Sequence, residues 1–175
     1  MTIRSLSLGM CAAIAGMGML SSASTAQSIR NHDSTAPVDF SAASMELQDR
    51  ADRVVLSGGV MAMQAGLTLK ANRVTAAYSS NNGVDVNRLD ATGGVMISKD
   101  DLRATSSSAI YDLDSSLITL IGNVNLVQGS NRLTGGRLVI DLDTGRSTIN
   151  GGGAASTTHS GGRVTGTFSV PQRKK

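Results

Sequence analysis

The chain has 175 residues, with 16 basic and 13 acidic side chains, and only 2% of it is aromatic. With no Trp, two Tyr and two Phe, it lacks platforms on which bases or sugars stack, which argues against single-stranded nucleic acid and most carbohydrate sites. Residues 30 to 163 hold 12 basic and 13 acidic side chains, a net of −1, so the basicity resides in Arg4 and the terminal Arg173-Lys174-Lys175. A body without a polybasic patch also argues against nucleic acid in general.

Residues 1–26 read as a signal peptide. Arg4 is followed by an apolar run from Leu6 to Leu20, short for a bilayer span, and the small residues Ser24-Thr25-Ala26 suit cleavage before Gln27. Retention of residues 6 to 20 as an uncleaved anchor is the alternative. Cys11, the one cysteine, comes too early in the leader, and behind too large a residue, for a lipidated position. Removing the leader leaves 149 residues without cysteine, enough for one domain with its own core and with no disulfide framework. Residues 27–37 are expected to be a flexible N-terminal segment, 38–170 the folded domain, and 171–175 a basic tail.

From there the chain repeats. Gly58, Gly93, Gly122 and Gly151 recur at spacings of 35, 29 and 29. A shift of 29 sets Tyr111-Asp112-Leu113-Asp114 over Ile140-Asp141-Leu142-Asp143, and Leu89, Ala91, Val95 and Ile97 over Ile118, Leu120, Val124 and Leu126. A shift of 35 adds Val54, Leu56, Val60 and Ala62, the extra residues falling in the turn-forming Ser79-Ser80-Asn81-Asn82-Gly83. Apolar residues alternate with period two in each unit, as one buried strand face requires. The parity flips at Asn72, at Ser106-Ser107-Ser108 and at Gly135-Gly136, and only a bulge or corner can absorb such a flip. The pattern encodes strand, turn, strand, corner, strand, repeatedly, and so an all-β fold: a β-solenoid or a jelly roll. Its inward stripe is aliphatic and carries little bulk, which fits a packed core and also fits a lipid groove.

Catalytic chemistry has little to stand on. His32 lies near the expected cleavage point and His159 in a Gly/Ser/Thr stretch, and neither belongs to a catalytic or metal-ligating spacing. Asp112-Leu113-Asp114 and Asp141-Leu142-Asp143 lack the further acidic ligands of a calcium loop and read as hairpin turns. The chain is expected to be no enzyme and to need no cofactor or metal.

The steps Leu56-Ser57-Gly58-Gly59-Val60, Ala91-Thr92-Gly93-Gly94-Val95 and Leu120-Ile121-Gly122-Asn123-Val124 alternate with Ala71-Asn72-Arg73-Val74 and Gly135-Gly136-Arg137-Leu138. In this order, across residues 38 to 150, they resemble the OstA-like family of lipopolysaccharide-transport proteins. Gly59 and Gly94 depart from that family's Gly-Asn-Val step, and residues 151 to 170 form a degenerate last unit. The resemblance implies an open, twisted β-jelly roll in the periplasm that shields the acyl chains of lipopolysaccharide. It implies an inner-membrane anchored transport subunit (LptC-like) at the N-terminal edge, between Val38 and Leu47. At the C-terminal edge, between Arg163 and Val170, it implies an outer-membrane assembly protein (LptD-like) or a further copy in a head-to-tail homo-oligomer. The expected lipid-binding residues, chosen by shared parity, are Leu56, Val60, Val95, Ile97, Tyr111, Leu120, Val124, Leu126, Ile140 and Leu142. A membrane-anchored relative, or a structural β-solenoid without lipid, are the other readings.

Overall fold

Alternating aliphatic and polar residues give one sheet a single apolar face, and among the described residues no α-helix covers it. The computed structural model describes residues 32–79, 85–152 and 162–169. The expected leader, His159, the insertion residues 80–84, Val170 and the basic tail lie outside the described residues.

The strands are β1 (Asp39–Ser41), β2 (Ser44–Gln48), β3 (Arg53–Gln64), β4 (Leu67–Ser79), β5 (Asp85–Lys99), β6 (Leu102–Asp112), β7 (Leu117–Gln128), β8 (Asn131–Asp141), β9 (Ser147–Asn150) and β10 (Thr165–Thr167). A single 3-10 turn, Asp49–Ala51, precedes β3. All pairings are antiparallel and join sequence neighbours from β3 to β8, a meander. Both edges are split strands. β1 and β2 pair with successive halves of β3, while β10 and β9 pair with successive halves of β8.

Register shifts fall in line across the sheet, at Ser57/Val60, Lys70/Arg73, Thr92/Val95, Thr105/Ser108 and Ile121/Val124. This line of bulges divides every long strand into two halves, and the halves form two walls that face each other. Their contact is direct: Tyr111 on one wall donates its hydroxyl hydrogen to Gln64 Oε1 on the other at 2.7 Å. The apolar residues of both walls form one cluster, with Val74, Ile97, Ile118, Leu120, Leu138, Ile140 and Leu142 fully buried. The expected jelly roll is therefore the observed fold, and the parity flips of the sequence are its corner.

The corner also explains the departure from Gly-Asn-Val. Gly58 and Gly59 have φ of 82° and 67°, Gly93 and Gly94 82° and 80°, and Gly122 and Asn123 80° and 50°. Both positions of each step are left-handed, a region that Gly visits freely and Asn tolerates better than other residues. The first position has a second constraint, since a Cβ on Gly93 would meet the Asn72 Cβ at 2.8 Å. At the second position, Gly94, a Cβ would meet nothing within 4 Å. We expect Gly93→Ala to cost about 1–3 kcal/mol, through left-handed strain and the clash. Gly94→Asn should stay within about 0.5 kcal/mol of wild type, urea unfolding being the measurement for both.

Candidate functional site

The ten residues expected to contact lipid all face inward, and each is at most 5% exposed. Leu56, Tyr111, Leu120, Ile140 and Leu142 line one wall, and Val60, Val95, Ile97, Val124 and Leu126 line the other. Among the described residues this interior is filled by its own side chains. The cavity beneath Val38, between Leu69, Leu89 and Tyr111, measures about 10 Å³. Pockets that hold small molecules run to roughly 300–1,000 Å³, so the closed interior has no room for an acyl chain.

The walls meet along a seam between two rows of turns. On the wall of Val60, Ile97 and Leu126, Gln64, Lys99 and Gln128 occupy equivalent strand-end positions, on the inward parity of Ala62, Ile97 and Leu126. Gln64 is buried, whereas Lys99 and Gln128 are half-buried. The opposite row includes Ser116, also buried, and Asp143.

Residues 32–38 lie in this seam. Of the segment expected to be flexible, residues 27–37, only 32–37 are described, and His32 there is 5% exposed and hydrogen-bonded to Gln64 and Lys99. Lys99 Nζ lies 3.1 Å from His32 Nδ1, and an ammonium can only donate, so Nδ1 is the acceptor and the ring proton sits on Nε2. His32 Nε2–H then donates to Gln64 Oε1 at 3.2 Å, with the Tyr111 hydroxyl 3.3 Å away. Gln64 Nε2 donates to the carbonyls of Ser34 and Ala36, both at 2.8 Å. Two bonds accepted and two donated saturate this amide. Across the seam, the hydroxyls of Ser34 and Ser116 are 2.6 Å apart.

Sequence reasoning missed this cluster. Its available signal was a polar residue at an inward strand-end position in three successive units, Gln64, Lys99 and Gln128. It also placed Tyr111 only among the apolar contacts. Its ring is indeed buried, but its hydroxyl belongs to the polar cluster, and burial, with the Asp143 carboxylate nearby, pushes its pKa well up.

The turn aspartates serve their own backbones. Asp112 Oδ1 accepts from the Ser115 N–H at 2.9 Å, and Asp141 Oδ1 from those of Asp143 and Thr144 at 3.1 and 2.9 Å. The Ser115 side chain and N–H hold the Asp112 carboxyl below the usual range, and the Thr144 bonds do the same for Asp141.

The ends of the roll are unlike its middle. Phe40, Met45 and Leu47 stand opposite Ala62, Leu56 and Val54 and so share the inward face, yet more than half of each is exposed. At the C-terminal end, Val164 and Phe168 flank β10 and are also exposed.

Residues 39–146 match the family model described as LptA/(LptD N-terminal domain) LPS transport protein. The chain belongs to this family. An uncharacterized protein of Rhizobium meliloti (strain 1021) is 27% identical over 153 residues, which cover 79% of this chain and 82% of that protein. The crystal structure of LptH from Pseudomonas aeruginosa, described as the LptA-homologous periplasmic component of the conserved lipopolysaccharide transport device, superposes with a TM-score of 0.69. At 19% identity, the match covers 79% of this chain and 99% of LptH, and it shows a shared fold. The family match runs from β1 to the turn before β9, which includes both walls and their seam-lining strand ends but not residues 32–38.

The His32 site has a defined pH dependence. Burial lowers its pKa below 6.5; the Gln64 bond opposes this, the Lys99 ammonium adds to it, and the Asp33 and Asp143 carboxylates partly offset it. Tyr111 is neutral and contributes no charge. The packed state thus favours neutral His32, so its contribution is present above pH 6.5 and is lost as pH falls below that value. We expect the amides of residues 32–36 to lose hydrogen-exchange protection between pH 7.5 and 5.5, relative to the β6–β7 core. A His32→Gln variant should lack this dependence.

Proposed function

We propose that this chain is a periplasmic lipopolysaccharide-transport protein of the LptA type, which carries the acyl chains of the lipid between its two walls. The observation that carries the reading is the inward stripe: ten aliphatic and aromatic residues of shared parity, continuous from β3 to the turn after β8, within the region the family model matches. Left in water, an acyl chain of about a dozen carbons forgoes on the order of 10 kcal/mol, at ~0.8 kcal/mol per methylene. Crossing an aqueous space therefore requires continuous apolar cover and no bond-making chemistry, which is how the non-enzymatic reading arises. Because the closed interior is full, the walls part to admit lipid, and the apolar residues trade contacts with each other for contacts with the chain.

Bridging follows from the ends. Among the described residues, β1–β2 and β9–β10 are edges paired on one side only, and the exposed Phe40, Met45 and Leu47 extend the inward stripe beyond the N-terminal end. An added strand from another roll would cover those side chains and pair the free backbone. On this reading an anchored inner-membrane subunit docks at β1–β2. A further copy or the outer-membrane assembly protein docks at β9–β10. Head-to-tail contacts of this kind do not close on themselves and so extend.

Two tests apply. A photo-crosslinking side chain at Val95 or Val124 should capture lipopolysaccharide, whereas one at the outward Met96 or Asn125 should not. Equal capture from both faces, or none from either, would sink the reading. Met45→Asp with Leu47→Asp alters exposed positions and should leave stability within about 0.5 kcal/mol. It should abolish concentration-dependent association in light scattering, and survival of association would remove the N-terminal edge as a docking surface.

A further inference from the structure

We propose that residues 32–38 are a built-in strap across the open seam, which occupies the route to the interior and must leave before lipid can enter. The inference rests on the lipid-binding reading above and adds to it a resident competitor.

Placement is the first ground. The strap joins the walls instead of extending either: His32 bonds Gln64 and Lys99 on one and approaches Tyr111 on the other, while Ser34 bonds Ser116 across the seam. None of residues 32–38 belongs to a strand. Val38 packs against the core cluster, directly over the 10 Å³ cavity.

The second ground is the kind of bond that holds it. Removing a sheet strand uncovers buried aliphatics and breaks a ladder. Removing the strap exchanges a few polar contacts for water, each worth about 0.5–1.5 kcal/mol net. Released, the Ser34 and Ala36 carbonyls and the His32 ring are solvated, and Val38 is the one strap side chain that leaves a contact with the core cluster. Of the elements that close the interior, the strap is the one that leaves at least cost.

The third ground is the space beside it. A cleft of about 590 Å³ already opens between the strap and the wall that carries Tyr111, bounded by Pro37, Val86 and Leu113. It lies within the size range of ligand pockets and stops at Gln64 and Val38. Lifting the strap would join this cleft to the apolar interior.

A reversible lock tests the proposal. The Ser34 and Ser116 hydroxyls are 2.6 Å apart, close to the ~2.05 Å of a disulfide, so Ser34→Cys with Ser116→Cys should cross-link the strap to the wall. Cys11, in the expected leader, is the chain's one native cysteine, so the pair is unique in the processed protein. The first readout needs no natural ligand: fluorescence of N-phenyl-1-naphthylamine, an apolar probe that lights up when it leaves water. The expected result is uptake by the reduced protein, loss of uptake on oxidation, and recovery with dithiothreitol. Equal fluorescence in the oxidised and reduced proteins, at any level, overturns the strap. His32→Ala gives a second route that forms no disulfide, and it should raise probe uptake over wild type; unchanged uptake again overturns the strap.

Lipopolysaccharide capture at position 124 in the same locked and reduced proteins separates the two claims. Capture lost on oxidation supports both. Probe uptake that is gated, with no lipopolysaccharide captured in any form, leaves the strap standing and removes the lipid reading.

Discussion

One constraint governs this structure: a single sheet with one apolar face has no second layer to cover it. The core cluster contains sixteen Val, Leu and Ile residues, each worth about 1.5–3 kcal/mol when buried, against a net domain stability of about 5–15 kcal/mol. An uncovered face would therefore forfeit the folded state. The sheet resolves this by folding over itself, which demands that every long strand bend at the same level. Left-handed pairs at Gly58-Gly59, Gly93-Gly94 and Gly122-Asn123 supply the bend, and the intervening strands absorb it at Asn72 and Ser106-Ser107. The walls, the seam and the open ends all follow from that line of bulges.

Much of this was legible in the residues, and for a local reason. Period-two alternation reports which side of a strand is buried, and a parity flip reports a bulge, because both are properties of neighbours in sequence. The corner positions read from Asn72, Ser106-Ser108 and Gly135-Gly136 thus coincide with the bulge line. Gly in place of Asn at positions 59 and 94 looked like a departure from the family step, but it is equivalent in backbone terms, since both residues accept φ near +50° to +80°.

The seam cluster is of another kind. His32, Gln64, Lys99, Tyr111 and Ser116 are brought together across separations of 32 to 82 residues, and no periodicity encodes a contact between a segment outside the repeat and the strand ends within it. His32 looked inert because it sits outside the repeat, and the same fact leaves it free to enter the seam. Gln64 and Lys99 sit beside turns, where polar residues are ordinarily solvated, so neither stands out in the sequence. Only the folding of the two walls toward each other turns those positions inward.

The chemistry of the closure suits a contact meant to be broken. An apolar strap would gain roughly 25 cal/mol for each Å² it buried and would resist exchange with water. A polar strap in a wholly dry interior would be costly to break, because its partners would be left unsatisfied. The seam lies between these limits. Gln64 spends its whole hydrogen-bonding capacity on the strap, His32 and Tyr111, so the closed arrangement leaves no part of the Gln64 amide unpaired. Lys99 at the same row is only half-buried, so water reaches the edge of the cluster as the strap lifts. Each bond surrendered is then replaced by one to solvent, or by one to a polar group on whatever enters. On the proposed reading, the aliphatic stripe behind the seam would set the affinity for an acyl chain, while the polar seam would set how readily that stripe is reached. Two properties that would conflict in one surface are thereby assigned to different residues.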